Sequence, residues 1–468
     1  MGLNLFIAVI CVVMALLITF ITIRFFFGAE AKVEFTRRTA FRDQGEHEPV
    51  HAGDTLRTRR SDNAASVRLL TVQVLVAAIL TLAVVVPQLL HTMHPSLIPD
   101  WLTAPWLQAI IITPVMFYSG YPIHIDGWSA IRRRVPNMNS LASVGSIAAY
   151  VYSLLVCFAQ DVLPAALHDV YFQVTGVIIT LVLLARLMSD RWLPRRAAFP
   201  LQTKVDTISR VFVPVVFLIA VWTFVAWLIF GAQPAFARAL LMAIGVLIIA
   251  CPVALGWAAP LAASFAIECA RRNRMRILTT SALQQAKDTH VVVFSDAASD
   301  RAHGTIGTLL DRGLSVSTID TSDPAKAVQD IDERRAHHGV DGHSSVLVFV
   351  GDGTEDVTVR NAADIAVVVT KDLEDARAVE HADVMTDLDG GACVARLMRL
   401  SKSMVRNIQE NLIWAFVFNI IGIPIAAGVL YPFTKWTLDP SLAGIAMFLS
   451  SLCVLINAWR LEAAHIDR

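Results

Sequence analysis

The sequence predicts a polytopic α-helical membrane protein that carries one small α/β domain. Of its 468 residues, 55% are hydrophobic and 17% are charged, a composition too apolar for a soluble globular protein. A single polar stretch of about 140 residues interrupts the apolar segments. The 39 basic and 39 acidic residues cancel, so the net charge provides no attraction to nucleic acid.

Nine windows are apolar and long enough, or nearly so, to cross a bilayer, whose core of ~30 Å needs about 20 helical residues. These windows cover residues 3–27, 69–91, 104–122, 138–158, 170–188, 211–231, 239–268, 410–430 and 441–459. The first has a long apolar run and no basic residue before it. It therefore predicts an uncleaved anchor over residues 1–27, not a secretory signal.

Basic residues follow the first, third, fifth and seventh windows, whereas loops 92–103 and 159–169 contain no Lys or Arg. Because Lys and Arg stay on the cytoplasmic side, we expect a plasma-membrane protein with its N-terminus outside. Residues 28–66 then form a charged cytoplasmic linker. The rest divides into membrane helices over 67–268, a cytoplasmic domain over 269–401, and two last helices with a tail over 402–468.

The cytoplasmic segment alternates short apolar runs with helical stretches, which predicts a doubly wound α/β sheet. The candidate strands are His290–Ser295, Leu314–Ile319, Ser345–Val350, Asp364–Val369 and Asp383–Met385. Fully apolar runs such as Val346–Val350 are typical of parallel strands buried on both faces. Such sheets bind ligands at the carboxyl ends of their strands, where Ser295, Asp296 and Asp352 lie.

Several motifs occur in an order typical of one family. They are Pro136-Asn137-Met138, Cys251-Pro252-Val253, the G-D-G-x-x-D run Gly351–Asp356, the segment Asn411–Pro432, and Met447 with Ser450, Ser451 and Asn457. Over residues 67–190 and 203–460 the chain resembles heavy-metal P-type ATPases of the copper type. The resemblance implies a haloacid-dehalogenase-like fold for residues 269–401 and a transition-metal ion as the bound cation.

The chain departs from this family where ATP is used. The family's D-K-T-G-T becomes Phe294-Ser295-Asp296-Ala297-Ala298, so the nucleophile position falls on Ser295 or, after a one-residue slip, on Asp296. The nucleotide-binding insertion has no room, and residues 189–209 replace the actuator domain. Phosphoryl transfer depends on positioned groups that cancel charge. The departures therefore predict a truncated, catalytically degenerate member for which ATP binding is not expected.

Two interpretations remain open for the polar residues at the sheet edge. Asp352 and Asp356 either hold Mg²⁺, since hard cations take carboxylate oxygens, or close a turn and cap a helix. Lys326 either corresponds to the family's phosphate-facing lysine or is a solvated helix lysine.

The resemblance also implies a cation site within the membrane. Its remaining donors are Cys251, Asn419, Met447 and Ser450. Thiolate and thioether sulfur suit Cu⁺ or a similar soft cation. The family has a second cysteine where this chain has Val253, so we expect weaker binding than two thiolates would give. Alternatively, Cys251 is a small apolar filler.

Met138 and Asp206 match positions that line the cytoplasmic access path for metal in the family. An ionisable residue near the start of a span is costly to bury and is therefore a functional candidate. Asp206 equally fits a helix cap at the membrane interface, beside Lys204 and Arg210.

Three functions remain open. The favoured one is a regulatory pseudo-pump that binds metal in the lipid membrane, or pairs with an intact pump, without hydrolysing ATP. The second is a residual ATP-driven copper-type transporter. The third is a membrane-tethered phosphatase that uses Asp296 as its nucleophile.

Overall fold

The chain falls into two compact units in the computed structural model. The structure describes residues 2–27, 54–94, 99–158, 168–192, 200–232, 234–251, 253–337, 346–372, 382–434, 436, 438 and 440–462. The first unit contains Met1–Arg191, Thr203–Trp257 and Leu412–Val454, and the second contains Trp192–Gln202, Ala258–Asn411 and Leu455–Arg468. The predicted linker 28–66 lies mostly outside the described residues.

Helices, most of them apolar, precede and follow the α/β domain, as the composition predicts. In chain order they are α1 (Gly2–Phe27), α2 (Asp54–Met93), α3 (Pro105–Pro114), α4 (Tyr121–Arg132), α5 (Met138–Phe158), α6 (Phe172–Trp192), α7 (Pro200–Phe230), α8 (Ala235–Ile249) and α9 (Val253–Arg272), and, after the domain, α14 (Gly390–Ala426), α15 (Tyr431–Thr434) and α16 (Pro440–Trp459). A short 3₁₀-helix covers Asp100–Thr103.

Five helices among the described residues are long and apolar enough to cross a membrane. They are Val67–His91, Met138–Phe158, Ser209–Phe230, Gly390–Ala426 and Leu442–Trp459. Shorter apolar helices cover Ile10–Phe26, Phe172–Met188 and Ala235–Ile249. The prediction of a polytopic helical protein is confirmed, but not every predicted window is one continuous helix.

The third window is interrupted. Helix α3 passes into a π-helix at Val115–Ser119, and α4 starts again after Gly120. A methyl group at Gly120 would overlap the Met116 carbonyl and the His124 ring, so only glycine fits this bend. Pro122 in the next turn has no N–H to continue the helical ladder. Average apolarity does not report such local backbone geometry.

The seventh window is also divided, between α8 and α9. Helix α8 ends at Ile249, and α9 begins at Val253. Pro252, which the sequence analysis expects to open the helix, lies outside the described residues. The break places Cys251 at the end of a helix instead of in its middle.

The α/β domain contains a six-stranded sheet within the described residues, in the order β1-β6-β5-β4-β2-β3. The strands are β1 (Met275–Ile277), β2 (Thr289–Ser295), β3 (Ser315–Ile319), β4 (Val346–Gly351), β5 (Ile365–Val369) and β6 (Val384–Thr386). The helices between them are α10 (Thr280–Gln285), α11 (Asp296–Leu310), α12 (Pro324–His337) and α13 (Val357–Ala362). The five predicted strands are confirmed within about one residue. All pairings are parallel except the one between β1 and β6.

Strand β1 is absent from the prediction. Three residues, Met275–Ile277, are too few to give a periodic signal, and β1 forms only by pairing antiparallel with β6 over a long sequence separation. The core beneath the central strands is built from aliphatic side chains. It contains Val291, Val293, Ile319, Ala327, Ile331, Leu347, Phe349 and Val359. The alternate residues Val292, Phe294, Val348 and Val350 point to the opposite face and are also buried. Burial on both faces explains the uninterrupted apolar runs of β2 and β4.

Candidate cation site and sheet-edge loop

Four residues that the sequence nominates as cation ligands line one cavity in the first unit. Cys251, Asn419, Met447 and Ser450 share its wall with Ile249, Ala415, Phe418 and Ala446. The space open to the centre of a water-sized sphere is about 20 Å³. By this measure one water needs roughly 10–15 Å³. The cavity therefore has room for a single small ion or water.

Cys251 reaches the cavity because α8 ends just before it. The Cys251 N–H donates to the Ile248 carbonyl at 3.0 Å, a tight i to i−3 bond that is common in the last turn of a helix. Cys251 is 3% exposed and its thiol is free. A buried thiol thus lies where the helix ends, surrounded mainly by apolar side chains.

The other donors come from α14 and α16. Met447 and Ser450 are three residues apart on α16, so they share one face of that helix. Asn419 on α14 is buried, and within the described residues its Nδ2 has no hydrogen-bond partner. Leaving a buried amide unpaired costs roughly 1–3 kcal/mol. Rotating the amide by 180° exchanges its nitrogen and oxygen, which gives the cavity either a donor or an acceptor.

This donor set combines sulfur ligands with neutral oxygen in apolar surroundings. A thiolate and a thioether are the ligands that soft cations prefer. The carboxylates that bind hard cations are absent from the cavity lining. Of the two interpretations of Cys251, the convergence of polar groups favours a ligand over a filler.

The proposed access residues are placed less fully. Met138 is the first residue of α5, half-buried, and its sulfur is 3.6 Å from the position of a methyl group built on Gly256. It does not line the cavity described above. Asp206 belongs to α7, but its side chain lies outside the described residues, as do those of Ser189 and Asp190.

The second unit holds the sheet-edge residues. Strands β2 and β4 are parallel neighbours, with Phe294 opposite Val350. The chain passes from β2 to β3 on one side and later returns to β4 on the other side. This reversal makes the carboxyl ends of β2 and β4 a topological switch point, the usual ligand position in a doubly wound sheet.

Ser295 and Asp296 occupy different environments at this switch point. Ser295 ends β2, is fully buried, and caps α11 by accepting the Ala298 N–H at 3.4 Å. Asp296 is the first residue of α11 and is exposed. The side chain at the position given by direct alignment is therefore committed to a helix cap, which leaves Asp296 as the accessible carboxylate.

The loop after β4 satisfies its own polar groups. Asp352 Oδ1 accepts from the Thr354 N–H at 3.1 Å and from its hydroxyl at 2.6 Å. Asp356 caps α13, and its Oδ1 accepts from the Thr358 N–H at 2.8 Å and hydroxyl at 2.6 Å. These hydrogen bonds from Thr358 lower the pKa of Asp356. The contacts are those of a turn and a helix cap.

The Mg²⁺ prediction fits this arrangement poorly. Asp352 and Asp356 each commit an oxygen to a threonine within the loop. Across the described ranges, no group of three His, Cys, Asp or Glu side chains is arranged to hold a metal ion. Mg²⁺ usually keeps several waters and needs only one or two carboxylates, so its binding by Asp352 and Asp356 stays a prediction, and no chemical step is derived through it.

Lys326 is exposed in the first turn of α12. Its backbone N–H donates to Asp323 Oδ1 at 3.4 Å. Hydrogen bonds from Ser322, with a smaller contribution from the Lys326 charge, lower the pKa of Asp320. This setting favours the solvated helix lysine over the phosphate-facing one.

The sequence analysis missed two buried charged residues near this loop. Glu355 is 7% exposed and accepts hydrogen bonds from the backbone of its own loop. Arg360 on α13 is 5% exposed, and in the described part of the chain its Nε and Nη1 have no partner. An available signal was the charge itself, since an arginine inside the otherwise uncharged run Val357–Ala362 is unusual for a buried helix.

Comparisons with known proteins agree with the motifs. No protein-family model matches the chain. It is 22% identical over 617 residues to a copper-exporting P-type ATPase of Legionella pneumophila, with 76% of this chain and 84% of that protein covered. It is 24% identical over 621 residues to copper-transporting ATPase 1 of Rhizobium meliloti, with 77% and 74% covered. Each matched segment is longer than the whole chain of 468 residues, so these relatives contain long segments without a counterpart here.

The fold comparison gives the same result. A crystal structure of a zinc-transporting PIB-type ATPase in its E2.Pi state superposes with a TM-score of 0.59 at 12% identity. The superposition covers 83% of this chain and 99% of that chain. At this identity the likeness concerns the fold alone.

Proposed function

Since this chain is a relative of the heavy-metal P-type ATPases and shares their fold, we propose that it binds a soft monovalent cation such as Cu⁺ within the membrane but does not hydrolyse ATP. It then acts as a regulatory pseudo-pump. The observation that carries this proposal is the cavity shared by Cys251, Asn419, Met447 and Ser450. The copper named for the relatives agrees with the sulfur ligands in that cavity.

Cation binding would satisfy the groups that the fold leaves open. A metal ion displaces the thiol proton of Cys251 and gains the buried sulfur as a ligand. The Asn419 amide gains a partner by turning its oxygen inward. With one thiolate instead of two, the ion is held more weakly than in a site that has both cysteines. Weak binding suits a sensor or carrier that exchanges its ion.

The absence of ATP hydrolysis is supported by the sheet edge. Ser295 caps a helix, and Ala297 and Ala298 follow Asp296 where the family has Lys and Thr. A single electrostatic group of this kind contributes roughly 3–4 kcal/mol to transition-state stabilisation. The long segments present in the relatives and absent here remove the nucleotide cradle as well. Partnership with an intact pump would supply the missing reaction.

The proposed orientation follows from the charge distribution. The Arg-rich loops after the odd-numbered windows support a cytoplasmic α/β domain and an N-terminus outside the plasma membrane. Lipid is then the solvent for the exposed apolar faces of α2, α7 and α16.

Competitive titration with a chromophoric Cu⁺ chelator under reducing conditions tests the cation site. Cys453 is exposed, so a Cys453→Ala background removes its competing thiol. We expect one Cu⁺ per chain, and at least roughly 100-fold weaker binding in Cys251→Ala, since even outer-shell changes at metal sites cost 10–100-fold. Cys157→Ala is the matched control, because Cys157 is buried on α5 but does not line the cavity. Equal affinity in the Cys251 and Cys157 variants would exclude the proposed site.

Incubation of the same preparation with γ-labelled ATP tests the second half of the proposal. We expect no acid-stable label on the chain and no phosphate release, with or without Cu⁺. Covalent label that disappears in Asp296→Asn would instead identify a residual transporter. Release of phosphate from small phosphate esters, without ATP turnover, would identify a phosphatase.

A further inference from the structure

The loop after β4 forms a cradle of backbone N–H groups. The N–H of Asp352 and that of Gly353 follow one another, and Gly353 has a φ of 90°. Successive N–H groups in a turn with one left-handed residue converge on a common point and make an anion-binding concavity. The left-handed conformation is one that glycine adopts at no steric cost.

A side chain of the same loop occupies this concavity. Glu355 Oε1 accepts from the Asp352 N–H at 2.8 Å, and Oε2 accepts from the Gly353 N–H at 2.9 Å. Both carboxylate oxygens are therefore used, one for each N–H. The side chain is 7% exposed, and a buried carboxylate is tolerated only when it is hydrogen-bonded in this way.

Gly351, just before the cradle, lies directly against the carboxylate. A methyl group built at Gly351 would overlap both oxygens and the carboxyl carbon of Glu355. Gly351 ends β4, beside the end of β2, at the topological switch point of the sheet. The carboxylate thus lies where a doubly wound sheet places its ligand.

We infer that this loop is an oxyanion site of the phosphate class that Glu355 holds closed. The carboxylate supplies the negative charge that a phosphate oxygen would bring, and it is tethered four residues from Gly351. A tethered ligand competes at high effective concentration, so free phosphate does not displace it. The inference stands on the Gly351–Asp356 loop alone and does not depend on cation binding at Cys251.

Inorganic phosphate is the probe, and the full chain in detergent is the sample. Equilibrium dialysis with labelled phosphate is carried out on the parent and on Glu355→Ala and Glu355→Gln. The alanine at 355 empties the cradle. The glutamine at 355 keeps one oxygen that can accept a hydrogen bond, so it leaves the cradle partly occupied.

We expect no saturable binding by the parent and saturable binding by Glu355→Ala, at an affinity at least roughly tenfold above the weakest that the dialysis detects, with Glu355→Gln between them. Asp356→Asn is the matched control, because it removes one negative charge from the same loop while the cradle stays closed. It should behave as the parent does. Saturable phosphate binding by the parent, or none by the folded variants, would overturn the inference.

Hydrogen exchange in the parent gives a second measurement that needs no variant. The N–H groups of Asp352 and Gly353 should be protected, and added phosphate should not change their protection. Rapid exchange of these two amides in the folded parent would show an open cradle and would equally overturn the inference. A failed cation titration leaves both measurements unaffected, so the two proposals can fail separately.

Discussion

The membrane cavity and the sheet-edge loop both gather polar side chains, but they differ in how those side chains are satisfied. In the cavity, Cys251 is free and the Asn419 Nδ2 has no partner within the described residues. At the sheet edge, Asp352, Glu355 and Asp356 all accept hydrogen bonds from their own loop. The polar side chains of the cavity remain available to a ligand, whereas those of the sheet-edge loop are already hydrogen-bonded within the loop.

This difference teaches which part of the molecule retains binding capacity. Buried polar groups are normally hydrogen-bonded, and those that are not mark unfilled sites or strain. A loop whose donors and acceptors pair internally gains stability and loses the open positions a ligand needs. The contrast supports a protein that binds a cation among its helices and has lost phosphoryl chemistry in its α/β domain.

Arg360 breaks the pattern, because its Nε and Nη1 are buried and have no hydrogen-bond partner among the described residues. Arg360→Met should stabilise the domain by roughly 1–3 kcal/mol, since it removes buried donors without partners. The free energy of local unfolding from hydrogen exchange across β4 and β5 measures this. Arg312→Met is the control, because Arg312 is exposed. Destabilisation by Arg360→Met alone would show that the guanidinium has a partner.

A substitution at Met447 tests whether the membrane cavity binds a cation through sulfur. Met447→Leu preserves volume but removes the thioether, so we expect roughly tenfold weaker Cu⁺ binding, about 1.4 kcal/mol, with little loss of stability. Met242→Leu on α8 is the matched control, because Met242 is buried but does not line the cavity. The chelator titration described above reads both variants. Unchanged affinity in Met447→Leu would remove Met447 from the ligand set.

Ser295, the residue that direct alignment sets at the family's nucleophile position, tests whether this side chain serves structure. Ser295→Ala should cost about 0.5–1 kcal/mol through loss of the α11 cap, and it should leave Cu⁺ affinity unchanged. Urea unfolding followed by hydrogen exchange in β2 measures the loss. Thr308→Ala, which changes an exposed hydroxyl late in the same helix, provides the baseline. A larger loss in Thr308→Ala than in Ser295→Ala would exclude the cap.

Asp356 gives the smallest expected effect, one that depends on pH. Hydrogen bonds from Thr358 hold the pKa of Asp356 below its usual range. The folded-state pKa is thus below the unfolded one, so the stabilisation is complete above the unfolded value of about 3.9 and is lost as pH falls through the folded value. Asp356→Asn should flatten this part of the stability profile, as followed by unfolding midpoints at stepped acidic pH. A parallel profile would assign the acid sensitivity elsewhere.

Much of the fold could be predicted because it depends on composition and period. The apolar windows and the apolar runs at β2, β4 and β5 are visible in the sequence, and their length and pattern predict buried helices and strands. Strand β1 and the π-helix at Val115–Ser119 escaped, since a three-residue edge strand and a local bend at Gly120 produce no periodic pattern.

The candidate cation site was predictable only through family motifs. Cys251, Asn419, Met447 and Ser450 are dispersed over about 200 residues, and nothing in their spacing indicates one cavity. The closed cradle was not predictable at all, because Glu355 reads as one more acidic residue in a turn.

The sequence by itself determined that this chain is a membrane protein with a doubly wound domain, and that its segment Phe294–Ala298 differs from the D-K-T-G-T of the family it resembles. Only the tertiary structure decided which polar groups stay open and which are satisfied. The physical reason is that transfer of apolar surface from water depends on residue type, which the sequence states outright. A hydrogen bond depends on distances of a few tenths of an ångström and on angles, and only the folded backbone around Cys251 and Glu355 fixes those.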